Sequence, residues 1–273
     1  MWVKSAMLNR VGQKAVHFVL VESVTMQSQS LRNISILVGL FLSKFDMAGL
    51  QALGLNGFSE AFNVIGFALG VQPASIKNYR DEFDPFFPNN RKGWHKRAMR
   101  ANCKAILDEH RDLPLEEFSR LIKAAIYKDN DIGVLIDDAE TASKDATSFA
   151  KRLVTGQAAE NYFSLVHRNI ELFKGFELED TTRLGCGFDF RLISPETFYA
   201  VEVKGLNESS GNISMTQKEF SVASILRHRY FLFVVKNFRE APYHQLYCDP
   251  VNSSLSFEKN EQTVIQVSWS AKV

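Results

Sequence analysis

Cysteine is scarce in this chain. The three cysteines, Cys103, Cys186 and Cys248, are too few and too scattered for a disulfide framework or a zinc site, and they suit a reducing cytoplasm. Cys186 lies near an acidic residue but reads as packing. An excess of either charge is also missing. Lys plus Arg number 32 against 31 Asp plus Glu, a formal net charge of +1. Bulk attraction to a polyanion is thereby excluded, and any affinity for nucleic acid has to come from local patches. Long apolar runs are lacking near the start. Ala15 to Val24 is apolar, but His17 and Glu22 interrupt it and no small-residue cleavage site follows. That excludes a signal peptide there, and a membrane span, which takes about 18–20 apolar residues. A cytoplasmic protein with no membrane partner is expected. Phe18, Leu20 and Val24 suit either a strand or a helix, and Met26 opens a smoother sequence and is a candidate start.

What is present is ordinary globular material. The 273 residues are 45% hydrophobic and 23% charged, enough to bury a full core in one large or two medium domains. The stretch that organises the rest is Gly187 to Gly205, GFDFRLISPETFYAVEVKG. Phe188, Phe190 and Leu192 alternate with Asp189 and Arg191, and Ser194-Pro195-Glu196-Thr197 supplies a turn. Phe198, Ala200, Val201 and Val203 form a second β-rich run carrying Glu202 and Lys204. Residues two apart on a strand share a face, so Glu202 and Lys204 stand side by side, with Asp189 on the neighbouring strand. Desolvated charges cost several kcal/mol each, on the order of a small domain's whole stability. A cation between the acids removes most of that cost. Two carboxylates suit Mg²⁺, which keeps several waters and takes substrate phosphates. Lys204 is then placed to orient or deprotonate a water and to offset transition-state charge. The competing reading of these residues is a salt-bridged hairpin.

The flanks extend the pattern. Thr155 to Phe163 begins a helix with Glu160 near its start, and Met215-Thr216-Gln217-Lys218-Glu219 opens another. Tyr230 to Val235 is a buried strand, followed by Asn237-Phe238 and Cys248-Asp249-Pro250. In order, spacing and element type this series resembles the NO VEIN-type nuclease-like domain of bacterial restriction and defence proteins, over roughly the last 120 residues. The Asp…Glu-x-Lys core resembles the PD-(D/E)XK nuclease superfamily, although Phe188 stands where Pro often precedes the first acid. The resemblance implies that Asp189 and Glu202 bind Mg²⁺, that Lys204 is the motif lysine and that Glu160 is the helix glutamate supporting the metal or its water. Gly205 is expected to let backbone approach closely, and Thr216 to cap its helix. Gln217 and Lys218 are candidates for touching the phosphate backbone, and the polar loop Asn207 to Ile213 for closing over substrate.

The N-terminal half reads as helices: Ile34 to Leu53 with one apolar stripe, a second from Ser59 as N-cap to Gly70, and a third over Ser75 to Phe83. The second and third resemble a helix-turn-helix, with Gly70 in the turn. Gln72, Ser75, Lys77, Asn78 and Arg80 are its exposed candidates for reading a major groove. Arg91, Lys92, Lys96, Arg97, Arg100 and Lys104 cluster around Trp94, a composition suited to phosphate contacts on a duplex. His95 and His110 read as surface residues. Pro114 to Ile126 is a further amphipathic helix, Tyr127 to Asp131 a loop, Ile132 to Ile136 a brief apolar run, and Ala139 to Leu153 a connecting helix.

The expectation is therefore α/β: a helical DNA-recognition domain over residues 1–140 and a mixed-sheet PD-(D/E)XK nuclease domain over 141–273. The resemblance implies a Mg²⁺-dependent DNA endonuclease of restriction type, acting on double-stranded DNA as a homodimer. Its rivals are a repair or mobile-element nuclease, and a DNA-binding module that keeps only the nuclease-like fold.

Overall fold

The computed structural model describes residues 30–126, 144–261 and 271. The expectations for residues 1–29, for Tyr127 to Ile136 and for a domain boundary near residue 140 lie outside the described residues. Those described fall into two compact units. One holds the helices up to Phe176 with Val203–Ser214 and Phe233–Gln245; the other holds Glu177–Glu202, Met215–Leu232 and the segment from Leu246.

In the first unit α1, Ser30–Ala52, is long and apolar enough to cross a membrane, yet 61% of that window is buried by its own neighbours. Every residue from Ser35 to Ser43 is buried. A helix apolar on all sides is a core helix. Phe118 of α5 (Leu115–Ile126) meets the Phe41 ring edge-on at 5.3 Å. Helices α2 (Phe58–Ala68) and α3 (Pro73–Phe83) are joined by a four-residue turn in which Gly70 takes φ +67°, as the helix-turn-helix pattern requires. Ser59 is not the N-cap of α2. Gly57 holds that position without a side-chain cap, and the carboxylate of Glu60 instead accepts the Asn56 amide at 2.8 Å. Helix α4 spans Ala101–His110. Its Cys103 is fully buried beside Glu82, and desolvation, reinforced by that carboxylate, pushes the thiol up to about 11. The thiol is therefore inert at neutral pH.

Helix α6 runs unbroken over Lys144–Val166 and then tightens into short 3₁₀ turns through Phe173. Five strands follow in the order β1-β2-β3-β4-β5, where β1 is Glu177–Asp180, β2 Phe190–Ile193, β3 Phe198–Gly205, β4 Tyr230–Lys236 and β5 Tyr243–Cys248. The first three form an antiparallel meander. Helix α7, Gln217–Leu226, carries the chain from β3 to β4. Leu206, just past β3, donates its amide to Val235 near the end of β4 at 2.7 Å. Ends of like sense thus lie together, which makes the pair parallel and the sheet mixed. Strand β4 is buried over nearly its whole length, the signature of a strand covered on both faces. Within the first unit Phe163 of α6 meets Phe233 at 4.9 Å. Within the second, Ala223 of α7 packs with Ala200 and Tyr230. The α/β architecture is the one expected, helical first and mixed-sheet after.

Candidate functional site

Strand β2 starts two residues later than its alternation suggests, and the cause is Gly187. Its φ is +94°, and a Cβ there would meet Val222 Cγ2 of α7 at 2.9 Å. Only glycine tolerates both conditions. The chain bends there and presents Asp189. The Asp189 carbonyl accepts the Thr181 amide at 2.8 Å, and its own amide donates to the Val201 carbonyl at 3.0 Å. The ladder also pairs Phe190 with Val201. Two consecutive residues therefore face one on β3, the arrangement of a β-bulge, which re-aims a side chain. Val201 is followed by Glu202, a carboxylate only 3% exposed. The two acids singled out from the sequence thus flank one point of the β2–β3 pair.

Sequence reading missed the residue that ties them together. Tyr230, the first of β4, is fully buried, and its hydroxyl donates to the Gly187 carbonyl at 3.0 Å. Burial, and then the carboxylates of Glu202, Glu219 and Asp189, push its phenol far above the usual range. Three acids thus lie within electrostatic reach of one buried hydroxyl. Its bond to Gly187 fixes the bend that sets Asp189. In sequence Tyr230 is one more aromatic at the head of an apolar strand, and only the register brings it to Gly187. Tyr230→Phe leaves that carbonyl buried without its donor and is expected to cost about 1–3 kcal/mol. A lowered thermal midpoint checks this.

Lys204 lies two residues beyond Glu202 on β3 and, by strand alternation, on the same face. Next to it, a Cβ on Gly205 would fall 2.7 Å from the Thr155 carbonyl and 3.1 Å from Ala159 of α6, which is the close backbone approach expected. Glu160, half-buried, follows Ala159 directly. Helix α7 opens on a complete capping box. The Thr216 hydroxyl accepts the Glu219 amide at 3.2 Å, and the Glu219 carboxylate accepts the Thr216 amide at 2.9 Å. Thr216 is therefore a cap, as expected. Gln217 and Lys218 are exposed in that first turn, and the Lys218 stem lies against Gly187. The Asn207–Ile213 loop is not the free flap anticipated. Asn237 and Arg239 donate their amides to Glu208 and Asn207 at 2.9 Å each, and the Tyr243 hydroxyl reaches Ser209 at 3.3 Å.

Among the described residues no group of three or more His, Cys, Asp or Glu side chains could hold a metal ion. A site built on Asp189 and Glu202 is of a different kind. Mg²⁺ binds through one or two carboxylates and keeps its waters, whereas Ca²⁺ needs a cage of oxygens. The donor chemistry fits such an ion: a buried carboxylate at Glu202 and a second at Asp189, whose backbone pairs with the preceding residue of β3.

Residues 159–248 match the family described as Protein NO VEIN, C-terminal. No curated protein and no solved structure matches the chain. The NO VEIN-type region takes in the bend at Gly187, Glu160, Asp189, Glu202, Lys204, Gln217, Lys218 and Tyr230. It ends at Cys248, short of the Asp249-Pro250 pair.

The basic candidates of the helical half lie outside that region, and most are engaged internally. Arg80 is not exposed. It is 6% accessible, pairs with Asp81 at 2.6 Å and Asp84 at 3.5 Å, and lies over the rings of Phe58 and Phe62. Arg91 pairs with Asp84 at 2.9 Å and Asp46 at 3.0 Å. Those two carboxylates, through hydrogen bonds and charge, raise its guanidinium against the opposing effect of burial. Arg100 bonds Glu82 through its amide and side chain, and Arg97 lies 3.6 Å over the Trp94 ring. Lys77, Asn78, Lys92 and Lys96 are exposed, although Lys77 sits 3.4 Å from Asp81. Gln72 is exposed and Ser75 half-buried.

Proposed function

We propose that this chain is a Mg²⁺-dependent DNA endonuclease of restriction type, of the PD-(D/E)XK kind. The observation that supports the reading is the Val201 carbonyl, which accepts the Asp189 amide at 3.0 Å and is followed on β3 by the buried Glu202 and then Lys204. The match to the NO VEIN C-terminal family supports it. Asp189 and Glu202 would hold Mg²⁺, which when bound supplies positive charge at the scissile phosphate and lowers the pKa of a water. The chain's own residues do the rest. Lys204 orients the attacking water and offsets charge developing on the phosphate oxygens. Glu160 supports the ion or the water from α6. Gln217 and Lys218, exposed in the first turn of α7, hold the phosphate backbone from the end of the helix whose dipole favours an anion. The capping box fixes that terminus. Attack by water leaves no covalent enzyme intermediate, and cutting both strands takes two such sites, hence a homodimer.

Supercoiled plasmid tests this directly. With Mg²⁺ the wild type should linearise or nick it, and with EDTA it should not. Lys204→Met should bind the plasmid normally and cleave about 10²–10³-fold more slowly, the effect of losing one group that stabilises transition-state charge. Plasmid that stays intact in Mg²⁺ while bound would leave a DNA-binding module and overturn the assignment.

A further inference from the structure

The turn that joins α7 to β4 reads Arg227-His228-Arg229, three basic residues in succession that neither the metal site nor the capped end of α7 uses. Arg227 has φ 53° and ψ −118°. That corner of the map is the first position of a type II′ turn, where glycine predominates. An L-residue with a side chain is strained there, and such strain persists where the side chain has a function. Its amide closes α7 on the Ala223 carbonyl, while its side chain adds little locally. Its guanidinium is 60% exposed and lies 3.8 Å from Asp249, a separation and exposure at which an ion pair adds little. His228 is 81% exposed, with Nδ1 3.9 Å from the same carboxylate. Arg229, also exposed, stands over the Phe198 ring at 5.2 Å. Asp249 is itself left-handed at φ 48°, its amide donating to the Tyr230 carbonyl at 3.0 Å. It serves as the fixed anion from which two of the three basic groups are spread.

We infer that Arg227, His228 and Arg229 form a second anchor for the phosphate backbone of the DNA duplex, separate from the contacts at the N-terminus of α7. The inference rests on the nucleic-acid part of the function proposed above. At about 1.5 Å per residue, the ten residues of α7 set the two anchors about 15 Å apart. That separation is several times the axial spacing of about 3.4 Å between successive phosphates of one strand, so the two anchors would meet different phosphates. Two arginines and a histidine against the one carboxylate of Asp249 leave the turn positive, a match in charge for a polyanion.

Arg227→Gly tests this with two readouts of opposite sign. Relief of the backbone should raise the thermal midpoint by about 2–4 °C. Loss of the guanidinium should weaken binding to a short duplex about tenfold at about 0.1 M salt and reduce the salt slope by about one contact. Binding is measured in EDTA, so cleavage plays no part. Arg229→Ala should lower the slope similarly without raising the midpoint. A lower midpoint for Arg227→Gly, or unchanged affinity and slope in both variants, overturns the inference. Plasmid bound but never cut in Mg²⁺ would overturn the nuclease reading and leave this anchor standing.

Discussion

Asp189→Asn should bind duplex DNA as tightly as the wild type and cleave it on the order of 10³-fold more slowly in Mg²⁺. The size follows from the several kcal/mol that a metal ion contributes to such a transition state, at about 1.36 kcal/mol per factor of ten. The substitution keeps the shape of the side chain and removes only its charge. The backbone at Asp189 is held independently of that charge, by the Thr181 amide on one side and the Val201 carbonyl on the other. Fold and bulge should therefore survive. The thermal midpoint in EDTA should hold while cleavage falls. That contrast separates a metal-holding acid from a structural one, whose loss would lower both. Wild-type cleavage rates in Asp189→Asn would take the residue out of the site.

The pieces of the site differ in how legible they were. Strand β4 and the carboxylates on β3 could be read because burial on two faces leaves a continuous apolar run, against which Glu202 and Lys204 stand out. The cap of α7 could be read because Thr216 and Glu219 interact within one turn, so spacing alone specifies the bonds. The Gly187 bend could not. Alternation places Phe188 in strand, and only contact with Val222 and Tyr230 turns the chain out of the ladder. Asp189 was singled out all the same, because its charge is unusual in an apolar run whatever the strand limits. The Asn207–Ile213 loop looked free because its polar residues say nothing about partners thirty residues on. The helix pair α2–α3 was visible in outline, with Gly70 marking the turn, but which face of α3 meets water was not. Arg80 lies among exposed residues in sequence and among buried rings and acids in space.

Arg80→Leu gives that last point a measurable consequence. If Arg80 read bases, replacing it would leave stability alone and relax sequence preference at one position, by about 1–3 kcal/mol. The structure gives it other work. Asp84 is fully buried at the centre of a network, accepting the Ser43 hydroxyl of α1 at 2.8 Å and Arg91 at 2.9 Å, with Arg80 at 3.5 Å. The Arg80 guanidinium also covers Phe58 and Phe62 of α2, so it joins α1, α2 and α3 through one side chain. Leucine can keep contact with the rings but leaves the buried Asp84 with one cation fewer. Asp84 keeps Arg91 and Ser43, so the loss falls below that of an uncompensated buried charge and is expected at about 1.5–3 kcal/mol, against a typical total of about 5–15. Urea unfolding should show a loss of that size, and DNA affinity should fall only as the folded fraction falls. Lys77→Ala, on the exposed face of the same helix, should leave the unfolding midpoint unchanged within about 0.5 kcal/mol. An Arg80→Leu protein as stable as the wild type, with altered sequence preference, would return Arg80 to the DNA-reading face and take the network out of the fold.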